Sequence, residues 1–204
     1  MKIATTKAAP LMAIATALTL LACGAHAHPG HIVDHGTANM FALGFWHPLT
    51  GTDHLLVMLA VGMWSALTHR TLREAIALPI VFATLLLAGA AMGLAGMMLP
   101  AIEPMIMASL LVLGLLVASR YAMPGRAGFA LVGGFALVHG LAHGMELPQT
   151  GGAMGFAAGF MATTLALHVI GLYLGFRVKD QGRWVTGILG TGVATYGALL
   201  FTGI

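Results

Sequence analysis

Two short stretches gather the side chains that coordinate cations. One is His47-Pro48-Leu49-Thr50-Gly51-Thr52-Asp53-His54; the other is His139-Gly140-Leu141-Ala142-His143-Gly144-Met145-Glu146. Imidazole nitrogen and carboxylate oxygen together suit a divalent Ni, Co, Zn or Fe ion. In the second stretch His139, His143 and Glu146 stand at i, i+4 and i+7, one stripe of an α-helix. Gly140 and Gly144 leave space there for another helix. In the first, Pro48 and Gly51 bend or open the chain before Asp53 and His54 lead into an apolar run. If that segment is helical, His47 and His54 share a face, with Met58 one turn further on. Asp53 is either a ligand itself or the partner that fixes the tautomer of His54. His168 offers a further ligand from a separate apolar stretch.

These residues stand out because the rest of the chain avoids charge. Of 204 residues, 59% are hydrophobic and 7% charged, and the mean hydropathy is +0.94. A water-soluble domain carries about 25% charged residues. Lipid is the solvent that suits this surface, and polar groups in lipid face a bundle interior and mark a site or pathway. Ten histidines against six acids are the anomaly. His69, beside Arg70, reads as interfacial and Glu103 as part of a solvated loop. The 14 methionines read as apolar filler rather than a copper(I) site. A single cysteine, Cys23, excludes an internal disulfide or a CxxC metal site. No GxxxxGK[ST] phosphate loop occurs, so no nucleotide-binding domain lies in this chain. The net charge of +3 follows from topology and points to no nucleic-acid partner.

The elements that must position the two motifs are membrane helices. Residues 1–27 read as a secretory signal, with Lys2 and Lys7, an apolar run from 8 to 22, and Ala25-His26-Ala27 before the cleavage point. A lipoprotein signal acylated at Cys23 is the alternative. Cleavage after Ala27 exposes His28 with its α-amine, near His31, Asp34 and His35, a set able to capture metal. Residues 28–46 form a His-rich periplasmic leader. Within it, 40–46 is too short to cross and is expected to break at Pro48, as an interfacial or partly entering helix. Residues 47–204 form the transmembrane domain, with apolar spans near 51–68, 76–99, 105–119, 129–145, 153–175 and 185–202. The fold class is therefore all-α, a six-transmembrane helix bundle after a cleaved signal peptide. Alternate loops carry Arg70 and Arg73, Arg120 and Arg126, and Arg177, Lys179 and Arg183, whereas the opposite loops hold Asp34, Glu103 and Glu146. The positive-inside rule puts the basic loops in the cytoplasm and both mature termini in the periplasm of a bacterial inner membrane. Stripes such as Gly89-x-x-x-Gly93 and Gly140-x-x-x-Gly144 allow close helix contact within the chain or in a homo-oligomer.

The motif at 47–64 and that at 139–148 resemble the HupE/UreJ family, small bacterial membrane proteins associated with nickel supply to hydrogenase and urease. The resemblance covers the whole mature chain. A separate nickel/cobalt permease family has four residues between His and Asp-His; the five residues here favour HupE/UreJ. The resemblance implies that His47, Asp53 and His54 form a first nickel-handling motif, and His139, His143 and Glu146 a second, with His28 a metal contact at the mature N-terminus. It implies a permease, not an enzyme, taking up Ni²⁺ or Co²⁺ as cargo with no catalytic cofactor. On ligand chemistry alone a bis-histidine haem protein is the rival, since facing histidines are what haem ligation needs. Asp53 and Glu146 argue for a cation instead. An intramembrane metalloprotease lacks its His-Glu-x-x-His helix.

Overall fold

The computed structural model describes residues 39–124, 126–147 and 151–202, and every regular element among them is helical. The order is α1 (Met40–Thr50), α2 (Thr52–Thr68), α3 (Leu72–Ala75), α4 (Ala77–Leu94), α5 (Ile102–Ser119), α6 (Ala127–Glu146), α7 (Ala153–Lys179) and α8 (Arg183–Leu200). The expected signal segment and His28, His31, Asp34 and His35 lie outside the described residues.

Among the described residues, four helical stretches are long and apolar enough to cross a membrane: Leu72–Leu94, Ile102–Ser119, Ala127–Glu146 and Ala153–Lys179. Six were expected. Helix α2 is apolar but has 17 residues, and its first turn is given to Thr52, Asp53 and His54. Helix α8 opens on Arg183 and intersperses Gly and Thr among its apolar residues. The exposed surface is apolar, and a few polar side chains are buried within a largely apolar core. Ile80, Leu87, Leu115, Val169, Tyr173 and Ile188 are exposed, while Ser109, His139, His143, Thr163, Thr164 and His168 are buried. Apolar outer faces with the polar side chains turned inward are what lipid demands. The chain is an α-helical integral membrane protein.

Helix α1 departs from expectation at Pro48. A proline inside a helix removes the bond to the carbonyl four residues back, here Gly44. The helix nevertheless continues to Thr50, and the chain turns at Gly51, whose N–H donates to the His47 carbonyl at 3.3 Å. Asn39 caps the start, its side chain accepting from Ala42 N at 3.2 Å. Consequently His47 and His54 do not share one continuous helix. They face each other's neighbourhood across a joint between α1 and α2.

Helices α4 and α6 lie against each other at their glycines, α5 pairs with α8, and α7 carries α1 along its first turns and α2 along its remainder. The α4–α6 contact is the one that matters most for the histidines. A Cβ on Gly140 would come within 2.8 Å of Ala90 N, closer than side-chain carbons approach backbone, so only glycine allows this crossing. It fixes the depth of His139 and His143 on either side of Gly140.

At the opposite end the loops are tied by cations. Arg120, at φ 54°, donates from Nη1 to the Lys179 carbonyl at 2.9 Å, from Nη2 to those of Val178 and Gln181 at 3.1 and 3.2 Å, and from Nε to Thr186 Oγ1 at 2.8 Å. These carbonyls include ones that the end of α7 leaves without intrahelical donors. Lys179 Nζ donates to the carbonyls of Ala66 and His69, the latter through a short bond. Trp64 Nε1 reaches the Tyr121 carbonyl at 2.9 Å.

Candidate metal centre

Four helix ends converge where α1 meets α2. His47 comes from the last turn of α1, Asp53 and His54 from the first turn of α2, and His139, His143 and Glu146 from the last turns of α6. Phe156 and Phe160, one turn apart at the start of α7, close the side. The two motifs, some ninety residues apart in the chain, therefore form one cluster. The His143 ring centroid lies 4.3 Å from that of His54 and 5.0 Å from that of His47, and His54 lies 5.3 Å from His139. Glu146 Oε2 is 3.9 Å from His47 Nε2 and 3.7 Å from His143 Nδ1.

The hydrogen bonds decide which nitrogen of each ring is available. His54 Nδ1 stands 2.8 Å from Asp53 Oδ1, and His139 Nδ1 stands 2.8 Å from the Phe135 carbonyl. Carboxylate and carbonyl oxygens only accept, so Nδ1 carries the hydrogen in each ring and Nε2 presents its lone pair. That is how a histidine ligand is set, with its second nitrogen held by an oxygen acceptor. The Nε2 atoms of His54 and His139, and both ring nitrogens of His143, are buried without a hydrogen-bond partner. A buried polar atom left unmatched costs about 1–3 kcal/mol. Several such atoms in one spot mark a place where polarity serves a ligand rather than the fold.

Gly51 is part of this arrangement. A methyl group there would lie 3.1 Å from Asp53 Oδ1 and 3.3 Å from His54 Nδ1, crowding the pair that sets the tautomer. The adjoining Thr52 is held by a short bond between its Oγ1 and Tyr196 Oη of α8. Asp53 also sits well electrostatically, since a negative side chain in a first turn complements the positive end of the helix dipole.

Exposure falls steadily across the cluster. Side-chain accessibility is 36% for Glu146 and 24% for His47, then 14% for His54 and 6% for His143; His139 is 1% accessible. A cation arriving from solvent meets Glu146 and His47 first and His139 last. Donor atoms of His47, His143 and Glu146 all lie within 4.8 Å of one another. A tetrahedral sphere with bonds of ~2.0–2.1 Å has donors roughly 3.3 Å apart, so these three would have to draw closer to share one ion. Two carboxylates, Asp53 and Glu146, balance a dication.

His168 is not in the cluster. It is buried on α7, and its ring packs on Phe82 of α4 at 5.0 Å. His69 lies at the opposite end, where its Nδ1 stands 2.9 Å from the Ser65 carbonyl. Glu103 is exposed in the first turn of α5. Sequence reasoning passed over Phe82, Phe156, Phe160 and Tyr196. The i, i+4 spacing of Phe156 and Phe160 was a usable signal; Phe82 sits in an unbroken apolar run and gave none.

A bundle of apolar-faced helices enclosing a histidine–carboxylate cluster defines a membrane protein of the cation-handling class. The HupE / UreJ protein family model matches residues 16–200. Protein HupE of Rhizobium leguminosarum bv. viciae is 37% identical over 191 residues, covering 93% of this chain and 97% of that protein. The chain belongs to the HupE/UreJ family, whose members are membrane proteins associated with nickel and cobalt transport and are not enzymes. No solved structure matches it.

Proposed function

We propose that this chain is a permease that takes up a divalent transition metal, Ni²⁺ first and Co²⁺ second, from the periplasm to the cytoplasm across the bacterial inner membrane. The observation that carries the proposal is the convergence of unmatched imidazole nitrogens from α2 and α6 beside two carboxylates. The preference for nickel and the supply of nickel enzymes come from the family. In this reading α2 and α8 are the first and last of six spans after a cleaved signal, and both mature termini are periplasmic. Consistent with that, every Lys and Arg beyond residue 7 falls in the loops at the end remote from the cluster or in the helix turns beside them.

The ion enters at Glu146 and His47, loses water as His143 and His54 replace it, and reaches His139 at the foot of the cluster. His28 and its neighbours would concentrate the metal at the mouth. The ligands sit on different helices, so small movements of α1 against α6 change the coordination number. Movement down a concentration gradient, or coupled to another ion, needs no nucleotide. Imidazole rings with centroids 4.3–5.3 Å apart leave no slot for a porphyrin, which disfavours the haem reading; a Soret band on the purified protein would restore it.

Uptake of radioactive nickel at low metal concentration tests the proposal. Cells producing the wild-type chain should accumulate nickel, and His54→Ala should reduce accumulation to background. Unchanged uptake with normal amounts of H54A in the membrane would sink it. Competition by Co, Zn and Cu in the same assay ranks selectivity.

A further inference from the structure

Below the cluster, one buried histidine lies off the path from Glu146 to His139. His168 sits near the middle of α7, eight residues and therefore about 12 Å along the axis beyond Phe160. It is 1% accessible. Its Nδ1 donates to the Thr164 carbonyl at 2.7 Å, so Nε2 holds the lone pair, and that atom is buried with no partner. Thr164 Oγ1, one turn earlier on the same helix, is likewise buried without a partner. The ring set-up is that of His139: Nδ1 held by the carbonyl four residues back, Nε2 unmatched. Between the two stands Phe82, fully buried, with its ring 6.1 Å from that of His139 and 5.0 Å from that of His168.

A residue needed only to fill this space would be Leu or Phe, because an imidazole with one empty nitrogen in an apolar surround destabilises the fold. His143 packs on Phe160, ring centroids 4.5 Å apart, so the offset along α7 is too long for one ion to bind His143 and His168 at once. Resting on the transport reading above, we infer that His168 is a second, inner station for the same divalent cation, separated from the outer cluster by the Phe82 ring and receiving the ion from His139. Thr164 Oγ1 supplies a neutral oxygen beside it, and water completes the shell. The inner station has a single nitrogen and no carboxylate among these groups, so it holds the ion more weakly than the outer one. A weak site after a strong one favours onward release, as conduction through successive sites requires.

The test uses the full-length protein in liposomes and in detergent, with nickel as the probe. In His168→Asn the amide can still donate to the Thr164 carbonyl, and the Nε2 acceptor is gone. The expected result is nickel binding to the outer cluster with wild-type affinity, and an uptake Vmax lowered at least about tenfold with KM within about twofold. In His54→Ala, by contrast, binding itself is lost. Wild-type Vmax in H168N overturns the inference. So does a loss of outer-site affinity in H168N, because His168 would then belong to the outer site. If H168N does not accumulate in membranes, His168→Gln is measured by the same two readouts and judged by the same outcomes. A wild type that moves no nickel removes the transport reading and this inference together; a wild type and an H168N that move it equally fast remove this inference alone.

Discussion

The two ends of the bundle treat buried polarity in opposite ways. At the basic end, Arg120 and Lys179 direct their donors at backbone carbonyls of α7, α2 and the adjoining loops and at the Thr186 hydroxyl, so most of their N–H groups have acceptors. At the histidine end, His54 and His139 are each held through Nδ1 with Nε2 left without a hydrogen bond, and neither ring nitrogen of His143 has one. One end uses polar groups to close the fold; the other, on the transport reading, keeps them open for a passing ion. Substitutions at the first should damage stability, and substitutions at the second should damage transport while sparing stability.

The largest separation is expected at His143, the ring nearest to the rest of the cluster. His143→Ala should bring nickel uptake to background and leave thermal stability in detergent little changed, since neither ring nitrogen has a hydrogen bond to lose; a large drop in melting temperature would make His143 a structural residue. Asp53→Asn keeps the shape of the side chain and removes its charge. Losing such a partner of a ligating histidine weakens metal affinity about 10–100-fold, which calorimetric nickel titration reads directly. Next, Arg120→Met should cost about 2–3 kcal/mol, in line with hydrogen bonds to charged groups. Its signature is a lower melting temperature with wild-type uptake per folded molecule. The smallest effect is expected at Tyr196→Phe, which removes the bond to Thr52 and should cost about 1 kcal/mol or less, with a few-fold change in nickel affinity. Acidification sharpens the comparison further. Imidazole binds metal only when deprotonated, so nickel affinity should fall as pH is lowered, whereas the Arg120 cap keeps its charge throughout.

Much of the cluster was legible because helix periodicity and residue type carry it. His139, His143 and Glu146 declare a stripe by spacing alone, and His47, Asp53 and His54 are conspicuous in so apolar a chain. What spacing could not say was that α1 would run through Pro48 and break at Gly51, because a proline costs a helix one bond without forbidding the next turn. Nor could it place His168 apart from the others. That separation depends on how α6 and α7 are each held by other helices, α6 through glycine contacts with α4 and α7 through those with α1 and α2. Phe82 was invisible for a similar reason, since its role comes from two rings on other helices. The basic residues were read as topology signals only, yet Arg120 and Lys179 also bind the loops together. Among the described residues four stretches meet the length and apolarity of a crossing helix, whereas α2 gives its first turn to polar groups and α8 is rich in Gly and Thr.

The one-residue joint at Gly51 turns the five-residue interval between His47 and Asp53 into a ruler. Each residue added to a helix rotates the chain beyond it by about 100° and advances it about 1.5 Å. Insertion of one alanine between Thr50 and Gly51 would therefore carry Asp53 and His54 away from His143 with every ligand still present. The motif is thus a measurement as well as an inventory, and chains that keep its residues while changing the interval would have to build their bend elsewhere.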